Sequence, residues 1–404
     1  MSQPRNLVVC LDGTNNEPAH GATNVARIYG SARQDDRQLV YYDPGVGTVG
    51  GLDTVTPHLD AVKQVWGLAT GYGIRENIAQ AYGWLADNYR RDDRIFVFGF
   101  SRGAYTARAL TGMLRTVGLL HPDSANMVPY ALKLFAQSGP LGSADADPDG
   151  PPDPSAAEAE RQFWRQRADF RIQFTNPDFP HPFDTTRNQV HFLGVWDTVK
   201  TVAWLDFWGK LTVARWPFTA KVSNVGTARH AMAIDERRHF FEVNRFDPAL
   251  VATDPQRFQE VWFTGVHSDV GGQFPDHRLS DLAFSWIAAE AHTAGLAINT
   301  RRYQRLVGTA FGQPLPPDDC LGALHPNTWP WWLLGGWRPR RIQPGDNVHC
   351  SVRQRITETA NKPDPYHPTL PANVSWVTDA VMQSPAADAS PRAKDAVPTA
   401  QPVP

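Results

Sequence analysis

Gly99-Phe100-Ser101-Arg102-Gly103 is the stretch with most to say about chemistry, because its Gly-x-Ser-x-Gly spacing falls between an apolar run at 94–98 and a segment of helical spacing at 103–114. A serine hydroxyl is a weak nucleophile until a base takes its proton, so it must be held clear of a sheet on a sharp strand-to-helix turn. Glycines at 99 and 103 supply the room, since a Cβ at either place would strike the neighbouring strand or helix. The same turn aims the Arg102 amide and the N-terminus of the new helix at the reacting carbonyl, where they would stabilise an oxyanion. These features point to ester cleavage with Ser101 as nucleophile.

A serine on such a turn works with an acid and a histidine that follow it in that order, each from the carboxyl end of a later strand. The apolar run 190–196 ends at Asp197, and the run 260–266 ends at His267. Asp197 is assigned as the acid that orients the imidazole, and His267 as the general base. Two alternatives stay open: Asp197 can instead cap a following helix, and His349, in a late alternating stretch, is the rival base. His230, His239 and His277 are read as surface or supporting residues. Asp269, just before Gly271-Gly272, is expected to hold its loop through the backbone.

The loop Asp12-Gly13-Thr14-Asn15-Asn16 follows the first apolar run and belongs beside the nucleophile, so the amides of Gly13 and Thr14 are expected to complete the oxyanion hole. The same letters match part of the Asp-x-Asp-Gly-Thr pattern of phosphatases with an aspartyl nucleophile. That chemistry needs a carboxylate at position 10, where this chain has Cys10, and the phosphatase reading loses its attacking group. The loop Asp43-Pro44-Gly45-Val46-Gly47-Thr48 lacks the Lys-Ser/Thr ending of a phosphate cradle and is read as pocket wall.

Positioning these residues takes a mostly parallel sheet with helices on both faces. Apolar runs at 7–11, 38–42, 94–98, 190–196 and 260–266 alternate with longer segments of helical spacing. In the segment 76–89, Ile78, Tyr82, Leu85 and Tyr89 share one helical face. In 280–292, Leu279, Ala283, Trp286 and Ile287 lie near one stripe, with Ser280 placed to cap. The span 119–188 breaks the rhythm with an acidic, Pro- and Ala-rich stretch at 144–160, and is expected as a lid-like insertion over the carboxyl edge of the sheet. Val348, Cys350 and Val352 suggest one more strand. A single domain over 1–380 results, followed by a tail at 384–404 too poor in large apolar residues to order itself.

The formal charge of −2 comes from 39 Lys and Arg interleaved with 41 Asp and Glu, which leaves no electrostatic footprint for nucleic acid. Cys10, Cys320 and Cys350 are far apart and odd in number, so neither a metal site nor a disulfide framework is indicated. They are read as reduced thiols in a chain made in the cytoplasm. A serine hydrolase needs no cofactor. The first apolar run is too short for a signal peptide, and no run approaches the roughly 18 residues that span a bilayer. Membrane contact is therefore expected from the surface. The span 325–342 holds Trp329, Trp331, Trp332 and Trp337 beside Arg338, Arg340 and Arg341, the composition of a surface that meets lipid headgroups. Its alternative role is to cover the sheet or bind a partner subunit.

Taken together, Leu11-Asp12-Gly13-Thr14, Gly99-Phe100-Ser101-Arg102-Gly103-Ala104, Val195-Trp196-Asp197-Thr198-Val199 and His267-Ser268-Asp269-Val270-Gly271-Gly272 resemble the bacterial type VI secretion lipase effectors and their uncharacterised relatives, in the family's order over about residues 5–300. The resemblance implies an α/β-hydrolase core and a triad of Ser101, Asp197 and His267. It also implies phospholipase A activity on bacterial membranes and export by a route that uses no signal peptide. Phospholipid is the expected substrate, a smaller carboxylic ester the runner-up, and a binding protein on the hydrolase fold the contrasting class. Oligomeric state is left open.

Overall fold

The computed structural model describes residues 4–13, 22–45, 71–137, 154–184, 186–199, 203–205, 211–213, 216, 219–326 and 336–378. Its first half runs β1 (Asn6–Leu11), α1 (Asn24–Ser31), β2 (Gln38–Asp43), α2 (Gly71–Asn88), β3 (Arg94–Phe100), α3 (Arg102–Val117), α4 (Val128–Ala136), α5 (Pro154–Phe174) and β4 (Val190–Trp196). A small antiparallel pair follows, β5 (Ala203–Leu205) with β6 (Leu211–Val213). The rest is β7 (Val225–Ala233), α6 (Pro248–Thr253), β8 (Phe258–Phe263), α7 (His267–Gly271), α8 (Arg278–Thr293), α9 (Thr300–Val307), β9 (Asn347–His349), α10 (Cys350–Thr359) and β10 (Ser375–Val377).

Eight strands form one sheet in the order β10-β9-β8-β7-β4-β3-β1-β2, and every pairing in it is parallel. The winding reverses between β1 and β3, because β2 lies on one side of β1 and all later strands lie on the other. Open α/β sheets place their sites outside the carboxyl ends of the strands at such a reversal. Strand pleating sends alternate residues to two cores. Leu7, Val9, Leu11, Ile95 and Val97 join the cluster beneath α2 and α3, while Val8, Cys10, Phe96, Phe98 and Phe100 join the cluster beneath α1 and α8. Cys10 thus points into a core, and burial pushes its thiol far above the ordinary range. The architecture is that of an α/β-hydrolase-like fold.

Several expectations need correction. The central strand β7 was not anticipated at all. The strand expected over 260–266 ends at Phe263, and Gly265 turns the chain with φ +114°. Helix α8 starts at Arg278 with His277 as its cap residue, so Ser280 lies inside the first turn, where its hydroxyl donates to the His277 carbonyl at 2.9 Å. The late strand stops at His349, whose Nδ1 accepts from the Ser351 amide and opens α10 at Cys350. The described helices of the 119–188 insertion pack on the face of the sheet that carries α2 and α3. Val128, Leu132, Phe135, Phe163 and Phe170 bury them in the core that holds α2 and α3, and Arg171 at the end of α5 donates to the Thr116 carbonyl, at the end of α3 farthest from Ser101. The stretch 144–153 and the tail at 384–404 lie outside the described residues.

Candidate active site

Ser101 is the single residue between β3 and α3, and its backbone at φ 59°, ψ −120° is a conformation that non-glycine residues adopt at a cost of about 1–3 kcal/mol. Packing around it imposes the strain. A Cβ on Gly103 would lie 2.1 Å from the Leu11 carbonyl oxygen, and one on Gly99 would lie 2.5 Å from the Gly103 carbonyl oxygen. The elbow is therefore wedged between the end of β1 and the first turn of α3, and glycine at both positions is a steric requirement. Ser101 N–H donates to the Trp196 carbonyl at 3.1 Å, which joins the turn at Ser101 to the residue before Asp197. Helix α3 opens at Arg102, so the amides of its first turn and the positive end of its dipole lie at the serine.

Asp197 lies at the end of the neighbouring strand, fully buried and at φ 40°. Its Oδ1 accepts from the Ala233 amide at 2.9 Å, and its Oδ2 accepts from His267 Nδ1 at 2.5 Å. His267 is the first residue of α7, and its backbone N–H donates to Glu236 Oε2 at 3.2 Å. Its ring lies between Phe100 at 4.7 Å and the edge-on ring of Phe241 at 4.9 Å. Phe100 immediately precedes Ser101, so the imidazole packs on the nucleophile's own strand. With Nδ1 committed to Asp197, the ring directs Nε2 elsewhere. That nitrogen is buried and makes no hydrogen bond among the described residues, with the Ser101 hydroxyl or any other group.

The electrostatics follow the packing. Burial opposes ionisation of Asp197, but the guanidinium of Arg340 and the His267 ring together hold its carboxyl well below the usual carboxylate range. Burial lowers the His267 imidazole below its ordinary value, only partly opposed by the hydrogen bond and charge of Asp197. The ring is therefore neutral near pH 7, the form a general base needs.

Arg340 and Glu236 are the residues that sequence reasoning missed. Arg340 was counted among the headgroup-facing arginines of the Trp-rich span, yet its side chain is 5 % exposed and forks onto Asp197. Glu236 is buried, holds the His267 backbone and pairs with Arg238 at 2.7 Å. The structure places the other predicted residues as follows. The Gly13 amide donates to Asp12 Oδ1 at 2.7 Å. Thr14 lies outside the described residues. His349 is buried, stacks on Phe263 at 4.6 Å and caps α10, while Asp197 Oδ2 holds His267 Nδ1 at 2.5 Å. His230 is fully buried, with Nδ1 on Glu260 at 3.0 Å and Nε2 accepting from the Thr198 amide. His277 pairs with Asp281, and His239 sits in the turn His239–Phe241. Asp269 accepts from the Val266 amide, and its other oxygen takes His325 at 2.6 Å. Trp337 is 38 % exposed and pairs with Arg238 through a backbone bridge. Trp329, Trp331 and Trp332 lie outside the described residues.

The family described as T6SS, phospholipase effector Tle1-like, catalytic domain, matches residues 5–290. An uncharacterized protein of Saccharomyces cerevisiae, YEL023C, is 29% identical over 256 residues, which is 61% of this chain and 33% of that protein. Two crystal or complex structures are similar at lower identity. An uncharacterized protein from Pseudomonas aeruginosa has a TM-score of 0.37 and 18% identity over 73% of this chain and 46% of its own. The Tle1 effector bound to the VgrG spike of the type 6 secretion system has a TM-score of 0.34 and 17% identity over 68% of this chain and 52% of its own. The chain thus spans about a third of its yeast relative and about half of each solved structure.

Proposed function

Because the chain belongs to the Tle1-like phospholipase effector catalytic domain family of the type VI secretion system, we propose that it cleaves a carboxylic ester of phospholipid, as a phospholipase A, through a triad of Ser101, Asp197 and His267. One observation supports this above the others. A buried imidazole, fixed to Asp197 at 2.5 Å, has no partner for its second nitrogen among the described residues while packed against the strand that leads into a strained serine.

His267 Nε2 takes the Ser101 proton as Oγ attacks the carbonyl carbon. The Arg102 amide and the α3 N-terminus receive the oxyanion. Collapse breaks the ester bond, the imidazolium gives its proton to the departing alcohol of the lysophospholipid, and an acyl-serine remains. Water, deprotonated by the same imidazole, releases the fatty acid. The exposed Trp337 and its neighbouring tryptophans are the proposed lipid contact, and export without a signal peptide is the proposed route.

A panel of phospholipids and soluble esters, read by mass detection of products, tests the proposal. Wild type should release fatty acid and lysophospholipid, and Ser101→Ala should release neither. Turnover of soluble esters alone would reassign the substrate to small esters. No turnover of any ester by folded protein would favour a binding role.

A further inference from the structure

We propose that Arg340 is a positioning residue of the triad, its guanidinium clamping both oxygens of Asp197 so that the carboxylate keeps its plane and His267 stays neutral to lower pH than an acid–histidine pair without a cation would allow. The inference rests on the Ser101, Asp197 and His267 assignment.

The clamp is over-determined. Arg340 Nη1 donates to Asp197 Oδ1 and to the Ala233 carbonyl, the latter at 2.9 Å. Nη2 donates to Asp197 Oδ2 at 2.9 Å and to the Phe241 carbonyl at 2.6 Å. The two carbonyls belong to the end of β7 and to the turn whose Phe241 ring meets His267 edge-on. One guanidinium therefore fixes the acid, the strand beside it and the aromatic wall of the base. A planar fork does this and a lysine does not, because an ammonium offers no pair of parallel donors.

Asp197 Oδ2 is shared between His267 Nδ1 and Arg340 Nη2. Two nitrogens on one oxygen sit within about 5 Å of each other, and a unit charge at that range with an effective dielectric near 20 moves an imidazole pKa by about two units. Two other charges facing the ring oppose each other, Arg238 disfavouring the imidazolium and Glu236 favouring it. Glu236, which accepts the His267 amide, is paired with Arg238, and Asp269, on the same short helix, is bound to His325. Arg340, bound to the same carboxylate oxygen as the ring, adds to Arg238 in offsetting the pull of Asp197 on the imidazolium. Its effect is to trade basicity for function at lower pH.

The test compares wild type, Arg340→Gln and Arg340→Lys in kcat/KM against pH on a soluble p-nitrophenyl ester, with the His267 imidazole followed by 15N NMR. Arg340→Gln removes the charge and should move the acid limb, and the His267 titration with it, upward by about two pH units. Arg340→Lys keeps the charge and loses the fork, so it should leave the limb in place and lower kcat by about tenfold. Should the Gln variant fail to fold, the Lys variant decides: unchanged kcat overturns the proposal. In folded Arg340→Gln, a limb and titration that coincide with wild type overturn it too, while wild-type activity keeps the triad assignment standing. Inactive, folded wild type removes both together.

Discussion

Replacing Asp197 by Asn changes one atom and should have two separable consequences. In the native site Oδ1 accepts from the Ala233 amide and from Arg340 Nη1, and Oδ2 accepts from His267 Nδ1 and Arg340 Nη2. Every partner is a donor. An amide has one acceptor oxygen, so whichever way the Asn lies, its NH2 faces the guanidinium and either the imidazole or the Ala233 amide. The buried cation loses its counter-charge, and breaking a buried pair from one side costs about 3–5 kcal/mol. Activity should fall by about 10³- to 10⁴-fold, since the imidazole loses the acceptor that sets its working tautomer. Asp197 has a depressed pKa in the folded chain, so its contribution is complete above the unfolded carboxylate value of about 3.9 and is lost as pH falls through its lower folded value. The stability deficit of the variant should accordingly be full at pH 7 and shrink below about pH 4. Urea unfolding at several pH values and p-nitrophenyl ester turnover measure both effects. Adding Arg340→Gln to Asp197→Asn removes the stranded cation and should restore about half of the lost stability while leaving activity low. A deficit under about 0.5 kcal/mol at pH 7, or a double variant less stable than Asp197→Asn, refutes the buried clamp.

Three other outcomes are expected. Ser101→Gly relieves a positive φ and should gain about 1–2 kcal/mol in thermal or urea unfolding while abolishing turnover; a loss of stability would show that the elbow is unstrained. Gly103→Ala drives a Cβ to within 2.1 Å of the Leu11 carbonyl and 2.6 Å of the Asp12 carbonyl, so destabilisation of about 3 kcal/mol or more is expected, and a neutral effect contradicts the wedged turn. Asp319 is buried beside Asp281, and burial first and that charge second push its carboxyl up to about 6. A carboxyl raised on folding weakens the fold as pH climbs from about 4 to about 6, so Asp319→Asn should stabilise by about 1–2 kcal/mol at pH 7 and leave stability at pH 3.5 unchanged, in paired urea titrations.

The parts of the site that were legible in the sequence are contiguous. Strand, Gly99-x-Ser101-x-Gly103 and helix follow one another without a break, and each of the steric constraints there acts between residues close in the chain or on the adjoining strand. Asp197 follows directly on the true end of β4, where apolar residues give way to polar ones, whereas the apolar run before His267 outlasts β8 by three residues and ends at the start of a helix. β7 was not legible, since Gly226, Ala228, Ala231 and Ala233 are small and Arg229 and His230 interrupt them. Its polar side chains are tolerated in the sheet because Glu290 meets Arg229 at 2.7 Å and Glu260 meets His230 at 3.0 Å, partners supplied by α8 and β8. Arg340 was hidden for the same reason on a larger scale: it reaches a carboxylate 143 residues earlier, and neighbours rich in Trp and Arg suggest a surface. His349 sits in a stretch whose alternation continues past the true end of β9, because the helix start is set by its own side chain capping the Ser351 amide.

Covalent capture of the serine examines the triad most directly. Treated with a fluorophosphonate at pH 7.5 and digested, wild type should carry the adduct on the peptide containing Ser101, and His267→Ala should label at least a hundredfold more slowly while still folding. A folded wild type that takes up no probe, or a His267→Ala variant that labels at the wild-type rate, contradicts a serine activated by this histidine.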